Sequence, residues 1–314
     1  MENLALQLPI MVQQMISGLA YGCIYGLVAL GYNFIWNAVG IVNLAQGDFV
    51  MVGAYLYAAS FIPAFVKVSW LSGVGPVAAF WLSLGLAALA MAIIGMVAQR
   101  IVYYPLRDAH PRTVLLSTVA LSIFLKNFAI VAWGTYPVPA SGLFGQKWLK
   151  FHLFNLGSVT VLYQYLFIFA FTAVLLVLQW FFFNRTTLGR TMRAVAQDRL
   201  AASLMGINTP GVIALTFAYS SVLAGIAGVL LAPIFLVSQA MSNMGLKAYT
   251  ASIVGGFGNV IGAVVGGLLV GVIEVMSASY ISSVYKDAIV FLVLIIFLLL
   301  RPQGIFGKKV IESL

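Results

Sequence analysis

From Met11 to Ile35 the chain carries no Asp, Glu, Lys or Arg, and neither do the stretches 159–183 and 212–236. Apolar runs of that length belong in a bilayer, where about 20 helical residues cross a hydrocarbon core of roughly 30 Å. Further runs, each with at most one charged residue, lie at 48–66, 76–102, 113–133, 260–280 and 287–300. A shorter glycine-rich run at 247–258 predicts a half-helix or a tight extra crossing. Composition points the same way: 63% of the residues are AVILMFWYC and 7% are charged, against about 25% charged in an average soluble domain. The expected fold is an all-α integral membrane protein of about 8–9 transmembrane helices plus short or re-entrant helices. Residues 1–314 form one membrane domain, with no room for a separate soluble catalytic domain.

The net charge of +9 reads as topology, not as a nucleic-acid footprint, because the basic residues sit in the gaps between apolar runs. Arg100, Arg107 and Arg112 form one cluster, Arg185, Arg190, Arg193 and Arg199 a second, and Arg301, Lys308 and Lys309 a third. If 247–258 crosses, all three face one side, which the positive-inside rule makes the cytoplasm. Lys67, Lys147, Lys150, Lys247 and Lys286 then face out, the N-terminus is outside and the C-terminus is cytoplasmic. Residues 184–211 are the longest cytoplasmic loop and 134–158 the main external one, with Pro137, Pro139, Trp148 and Phe154 suited to the interface. Met1 to Pro9 lacks the basic region of a cleavable signal, so the first run is expected to be a retained span.

Two glycine ladders stand out. Gly18, Gly22 and Gly26 recur on one face of the first span, and Gly258, Gly262 and Gly266, followed by Gly267 and Gly271, recur late in the chain. Small residues at this spacing let helix backbones approach closely within a membrane.

The segment Gly40 to Gly53, GIVNLAQGDFVMVG, interrupts apolar sequence with Asn43, Gln46 and Asp48, and places Gly47 where an irregular turn fits. It admits two readings: an ordinary turn with Asp48 as the N-cap of the next helix, or a broken helix lining a translocation path. Lys126 and Glu274 are charges inside apolar runs. Both lie close enough to a span end to snorkel outward or to pair with each other.

Enzyme signals are missing from the sequence. It has no GxxxxGK[ST] and no HExxH, His110 and His152 are placed on opposite sides of the membrane, and Cys23 stands alone. No metal site or cofactor is expected, and energy must come from an ion gradient or another subunit.

The loop LGRTMRAVAQDRLAASLMGINTPGVIALTF (188–217) decides between those when combined with GIVNLAQGD, SIVGGFGNVIGAVVGGLLVGVIE (252–274) and RPQGIFG (301–307). Together they resemble the integral-membrane permeases of branched-chain amino acid (Liv-type) ABC importers, from Gly18 to Gly307. The resemblance implies an importer subunit of the bacterial inner membrane that pairs with a second homologous permease or a second copy of itself. It also implies two ATP-binding subunits and a periplasmic substrate-binding protein as partners, with lipid around the chain and no nucleic acid. The cytoplasmic segment would be the ATPase coupling element, on Arg193, Ala194, Asp198, Ala201, Ala202 and Gly206, with 188–206 helical up to stop signals at Gly206 and Pro210. The family's pattern often has Glu where this chain has Leu200, and His where it has Gln46. Rival classes are an ion-coupled secondary transporter and a passive channel. Urea, short-chain amides and aromatic acids are alternative solutes for similar permeases.

Overall fold

The computed structural model describes residues 2–67, 75–107, 109–143, 153–156 and 159–307. Trp148, Lys147, Lys150, His152, Lys308 and Lys309, invoked above for topology or chemistry, lie outside the described residues, as does the side chain of Phe154. The described chain is helical apart from loops, one isolated bridge and a hairpin, β1 (Leu153–Leu156) with β2 (Val159–Leu162), paired antiparallel from Leu153 opposite Leu162.

The helices are α1 (Glu2–Val39), α2 (Gln46–Tyr55), α3 (Ile62–Lys67), α4 (Pro76–Ala98), α5 (Pro111–Trp133) and α6 (Tyr163–Arg185). They continue with α7 (Thr187–Gln197), α8 (Arg199–Leu204), α9 (Thr209–Leu231), α10 (Met244–Gly255), α11 (Val260–Tyr280) and α12 (Lys286–Leu300). A π-helical turn, Leu56–Phe61, carries α2 into α3, and another, Gln99–Tyr103, extends α4. Among the described residues, seven helical stretches are long and apolar enough to cross a membrane: 9–39, 46–65, 76–106, 111–133, 163–185, 209–231 and 260–280. Two further apolar helices, α12 with 15 residues and α10 with 12, measure about 22 and 18 Å at helical rise and are shorter than these seven.

The chain divides into two compact units. The first comprises 1–33, 151–172 and 247–314. Within it the glycines of α1 face those of α11. A Cβ on Gly22 would stand 2.6 Å from the Leu268 Cα, and one on Gly18 would stand 2.9 Å from the Val272 Cα. Gly267 and Gly271 return the contact onto Gly26 and Gly22. The second ladder is not one face, however. Gly262 and Gly266 turn toward α10, against Gly255 and Ala251, whereas Gly258 lies outside any helix with φ +85° in the turn before α11. A glycine there supplies a backbone conformation that side chains resist.

That turn is tied down from two directions. The Asn33 side chain donates to the Asn259 carbonyl (2.9 Å) and accepts from the Gly258 N–H (3.1 Å) and the Ser252 hydroxyl (2.5 Å). The segment after α12 closes over the same place, with Ile305 N–H donating to Val254, Phe306 N–H to Gly255, and the Asn259 side chain to Phe306.

The second unit comprises 34–150 and 173–246. Here α2 lies against α9 at Gly53, Gly225 and Gly228, where a Cβ on any of the three would collide with the opposing helix or with Met91. Gly95 of α4 meets Phe217 and Ser221 of α9 in the same manner. An apolar cluster that includes Ile35, Val39, Tyr103, Met192, Val195, Ala202 and Phe217 pins α7 and α8 beneath these helices. The 134–143 segment is held by a two-way backbone bridge between Val138 and Val237 and by the Tyr57 hydroxyl donating to the Ser141 carbonyl (2.6 Å).

Because Gly22 is pressed onto backbone and not onto a flexible side chain, Gly22→Val is expected to destabilise by about 2 kcal/mol or more. Thermal unfolding in detergent should show this as a lowered midpoint, whereas Gly85→Val, which meets only open space, should leave it in place.

Candidate translocation and coupling sites

The first site begins where α1 ends. Gly40 adopts φ +69° and reverses the chain, and residues 41–45 are non-helical before α2 starts at Gln46. The irregular backbone expected at Gly47 is therefore at Gly40 instead. Gly47 is helical, and its missing Cβ lets the Ser242 carbonyl and Gly245 approach.

Asn43 accepts from the Ala45 N–H (3.2 Å), leaving its buried amide nitrogen without a hydrogen-bond partner. Gln46, wholly buried, donates to the Ser220 carbonyl (3.1 Å) and accepts from the Ser220 hydroxyl (3.2 Å), so one amide locks α2 to α9. Asp48 is not the helix cap: the N-cap position is Ala45, which makes no side-chain cap, and Asp48 sits in the first turn. Its carboxylate is 2% exposed, faces Ser122 of α5, and has Oδ1 3.9 Å from the Lys126 ammonium. That separation is an ion pair but too long for a hydrogen bond.

Glu274 does not snorkel: it is 6% exposed, whereas the Lys126 side chain is 42% exposed. In the first unit the Glu274 carboxylate accepts from Lys247 (2.5 Å) and from the Tyr25 hydroxyl (2.5 Å). Lys247 also reaches Asp287 at 2.8 Å, and Lys286 lies 3.9 Å from Glu274. Lys247, read from the sequence as a charge facing out, is instead buried at 5% exposure. Charges of both signs meet because a lone ion at membrane depth is costly. No sequence-local signal links Lys247 to Glu274 or Asp48 to Lys126, since each pair is assembled from separate helices.

The second site is the arm formed by α7 and α8. The expected single helix over 188–206 is broken at Asp198, whose backbone is extended (φ −153°, ψ 112°) and whose carboxylate caps α8 by accepting from Leu200 and Ala201 N–H. The cap, worth about 1 kcal/mol, explains a break that neither proline nor glycine marks. Arg199 anchors the bend, donating to the Ala38 carbonyl (2.8 Å) and the Tyr103 hydroxyl (3.3 Å). Arg193 is exposed and donates to Asn184 (3.2 Å), and the Ala194 carbonyl accepts from Asp198 N–H. Ala201 is exposed, but Ala202 is buried in the apolar cluster. Gly206 ends the arm with φ +82°.

What the residue-type reading missed is the apolar tip. Leu200, Leu204 and Met205 are 73%, 81% and 83% exposed on a polar segment of a largely apolar chain. Their spacing of four and five residues was visible in the sequence, but their outward direction depends on the break at Asp198. Among the described residues no group of His, Cys, Asp and Glu is placed to hold a metal ion, Cys23 is buried and unbonded, and His110 caps α5 by accepting from Arg112 N–H.

A helical multi-pass chain with a broken helix at Gly40–Ala45 and a folded polar arm has the form of a transport permease. Residues 14–298 match the family described as the branched-chain amino acid transport system permease component, and the chain belongs to it. LivH of Escherichia coli K12, a high-affinity branched-chain amino acid transport system permease protein, is 35% identical over 308 residues, covering 96% of this chain and 97% of its own. BraD of Pseudomonas aeruginosa, described in the same terms, is 33% identical over 315 residues with the same coverage. LivM of Salmonella typhimurium is 25% identical over 90% of this chain and 67% of its own length. No solved structure matches the chain significantly. The protein is thus a multi-pass permease subunit of an ABC transport system and not a catalytic enzyme.

The buried ionic cluster yields a direct test. Lys247→Met leaves the buried Glu274 carboxylate with only the Tyr25 hydroxyl and the more distant Lys286 ammonium, and should destabilise by about 3 kcal/mol. Adding Glu274→Gln should restore part of the loss, because the more deeply buried carboxylate is then neutral while the Asp287 side chain is half-exposed at 49%. Denaturant unfolding of the single and double variants in detergent measures both steps.

Proposed function

We propose that this chain forms half of the translocation path of an importer for branched-chain amino acids, receiving solute from a periplasmic binding protein and driven by two separate ATPase subunits. The relatives' descriptions support the solute class, and the resemblance to LivM supports a second, homologous permease as the other half. The observation that carries the ATPase assignment is the outward-facing apolar tip of α8. Leu200, Leu204 and Met205 are exposed side by side at the end of the arm, the kind of apolar patch that marks a surface for a protein partner. The arm is suited to transmit force because Met192, Val195 and Ala202 fix it in the apolar cluster, and because Arg199 bonds it to the end of α1. Displacement of such a packed element reaches the membrane helices through rigid contacts.

In this reading the arm is cytoplasmic in the bacterial inner membrane, with the N-terminus outside and the C-terminus inside. Support for the parity comes from the first unit. Asn33, near the cytoplasmic end of α1, holds the turn between α10 and α11, and the segment after α12 is bonded to the same turn. These groups therefore share one side, and α10 carries the chain there from the opposite face as a short, protein-buried segment, its Ala248, Thr250, Ala251 and Ser252 all at 0% exposure. Such segments are tolerated at membrane depth only when shielded in this way.

In this reading Asn43, Gln46 and Asp48 lie beside the path. Gln46 clamps α2 to α9, while the orphaned amide of Asn43 and the loosely paired Asp48 are the groups available to a solute when helices shift. Alternating access follows: nucleotide closes the ATPase pair, the arms move, and the cavity between permeases opens first to the binding protein and then inward.

Leu204→Asp should reduce co-purification of the ATPase subunits by about tenfold or more, given hot-spot losses near 2 kcal/mol, with the permease still in the membrane. Gly206→Val, which forces a branched residue into φ +82°, should do the same at some cost in stability. Unchanged ATPase recovery in both variants overturns the docking role. Asp48→Asn should abolish concentrative uptake in the assembled transporter at normal expression; wild-type uptake would return Asp48 to a purely structural role.

A further inference from the structure

Beside the bend of the arm, the second unit holds a cavity of about 200 Å³. Three elements wall it: the π-helical turn that extends α4, with Gln99 and Tyr103; the start of α8, with Arg199; and the first turns of α9, with Thr209, Pro210 and Ile213. Arg107 also borders it, but its guanidinium is already engaged, 4.6 Å from the centroid of the Tyr104 ring.

Gln99 is the group the fold does not account for. It is 3% exposed, and among the described residues its side-chain amide has no hydrogen-bond partner. Gln46, equally buried, is by contrast bonded at both ends of its amide. An amide taken out of water without a partner is costly. This one lines the cavity, so a ligand there completes it.

The other polar groups around the cavity are donors as well. Arg199 donates Nε–H to the Ala38 carbonyl and Nη1–H to the Tyr103 hydroxyl, which holds the guanidinium in place and leaves the other N–H groups of the fork open. The Tyr103 hydroxyl keeps its own proton to donate, and Thr209 adds a second hydroxyl. The positive end of the α9 dipole lies at the same place, although its amides are not the donors: Asn208 accepts from Gly211 N–H, and Pro210 has no N–H. No acidic side chain among the described residues lines the cavity. The neighbouring Asp198 carboxylate is turned to the Leu200 and Ala201 N–H groups. Pro210 and Ile213 make an apolar wall. The space would hold roughly six water molecules, too little for a nucleotide or a lipid.

One cationic fork, neutral donors, no acid and an apolar wall fit one kind of solute. We propose that this cavity binds a small carboxylate with a short apolar tail, the carboxylate accepting from Arg199, Tyr103 and Gln99 and the tail lying on Pro210 and Ile213. A single guanidinium matches the single charge of a carboxylate, whereas phosphate carries more charge and has no use for the apolar wall. An amino acid is disfavoured because no acidic residue meets its ammonium. Bound there, the solute joins α8 to α4 and α9 and restrains the arm. The restraint acts on transport only if the arm couples to ATPase subunits as proposed above; binding to the cavity does not rest on that reading.

Binding is tested on the purified full chain in mild detergent, through the unfolding midpoint as a function of ligand concentration. Butanoate should raise the midpoint saturably, whereas butanol, with the same tail and no charge, and inorganic phosphate should not. Gln99→Leu should weaken butanoate binding by about tenfold and leave the unliganded midpoint in place or higher, because the amide bonds to nothing there. A purely structural role for Gln99 would lower that midpoint instead. Thr209→Phe, which fills the cavity from α9, should abolish the response. Equal protection by butanol or phosphate, or wild-type butanoate affinity in both variants, overturns the proposal. In the assembled transporter, butanoate should slow ATP hydrolysis by the wild type and not by Gln99→Leu. Unaltered hydrolysis at saturating butanoate overturns the restraint on the arm and leaves the binding site standing.

Discussion

Apolar side chains gain nothing by leaving lipid for one another, so a helical bundle in a bilayer must be held by what lipid cannot offer: backbone brought against backbone. In the first unit Gly18 and Gly22 of α1 and Gly267 and Gly271 of α11 meet the opposing backbone so closely that a single added carbon has no place. In the second, Gly53, Gly225 and Gly228 do the same for α2 and α9. The polar contacts between these helices depend on the crossings. The reciprocal bonds of Gln46 with Ser220, and of Asn33 with the 252–259 segment, are reachable only because the helices are already this near.

Polar groups then do the work that oil-like side chains cannot: they fix register and leave a few atoms unspent. Lys247, Glu274 and Tyr25 saturate one another across α1, α10 and α11. Asp48 and Lys126, by contrast, stand 3.9 Å apart without a hydrogen bond, and the Asn43 amide nitrogen has none. A saturated cluster holds shape, and an unsaturated one is available to change partners, which is the distinction between scaffold and path drawn above.

The arm formed by α7 and α8 shows how local and tertiary causes divide. Thr186 and Asp198 are capping residues with clear local chemistry, each accepting backbone N–H groups at the start of a helix. Yet the sequence over 188–206 lacks proline and interior breaks, and predicts one helix. The extended backbone at Asp198 is held by Arg199, which reaches the Ala38 carbonyl and Tyr103 from far away in the chain. That bend turns Ala202 inward and Leu200, Leu204 and Met205 outward.

The sequence by itself determined that the chain lives in a membrane, where its long apolar runs lie, that small residues recur at helical spacing along α1, and which family's motifs it carries. These are properties of runs and short spacings, where a residue's neighbours in the chain decide its environment. Tertiary structure alone decided the partners of Lys126, Lys247 and Glu274, the division of the late glycines between α10 and α11's two neighbours, and the shift of the irregular turn from Gly47 to Gly40. Each of those is a contact between residues distant in sequence, and charge pairing or close packing at such range has no periodicity to announce it.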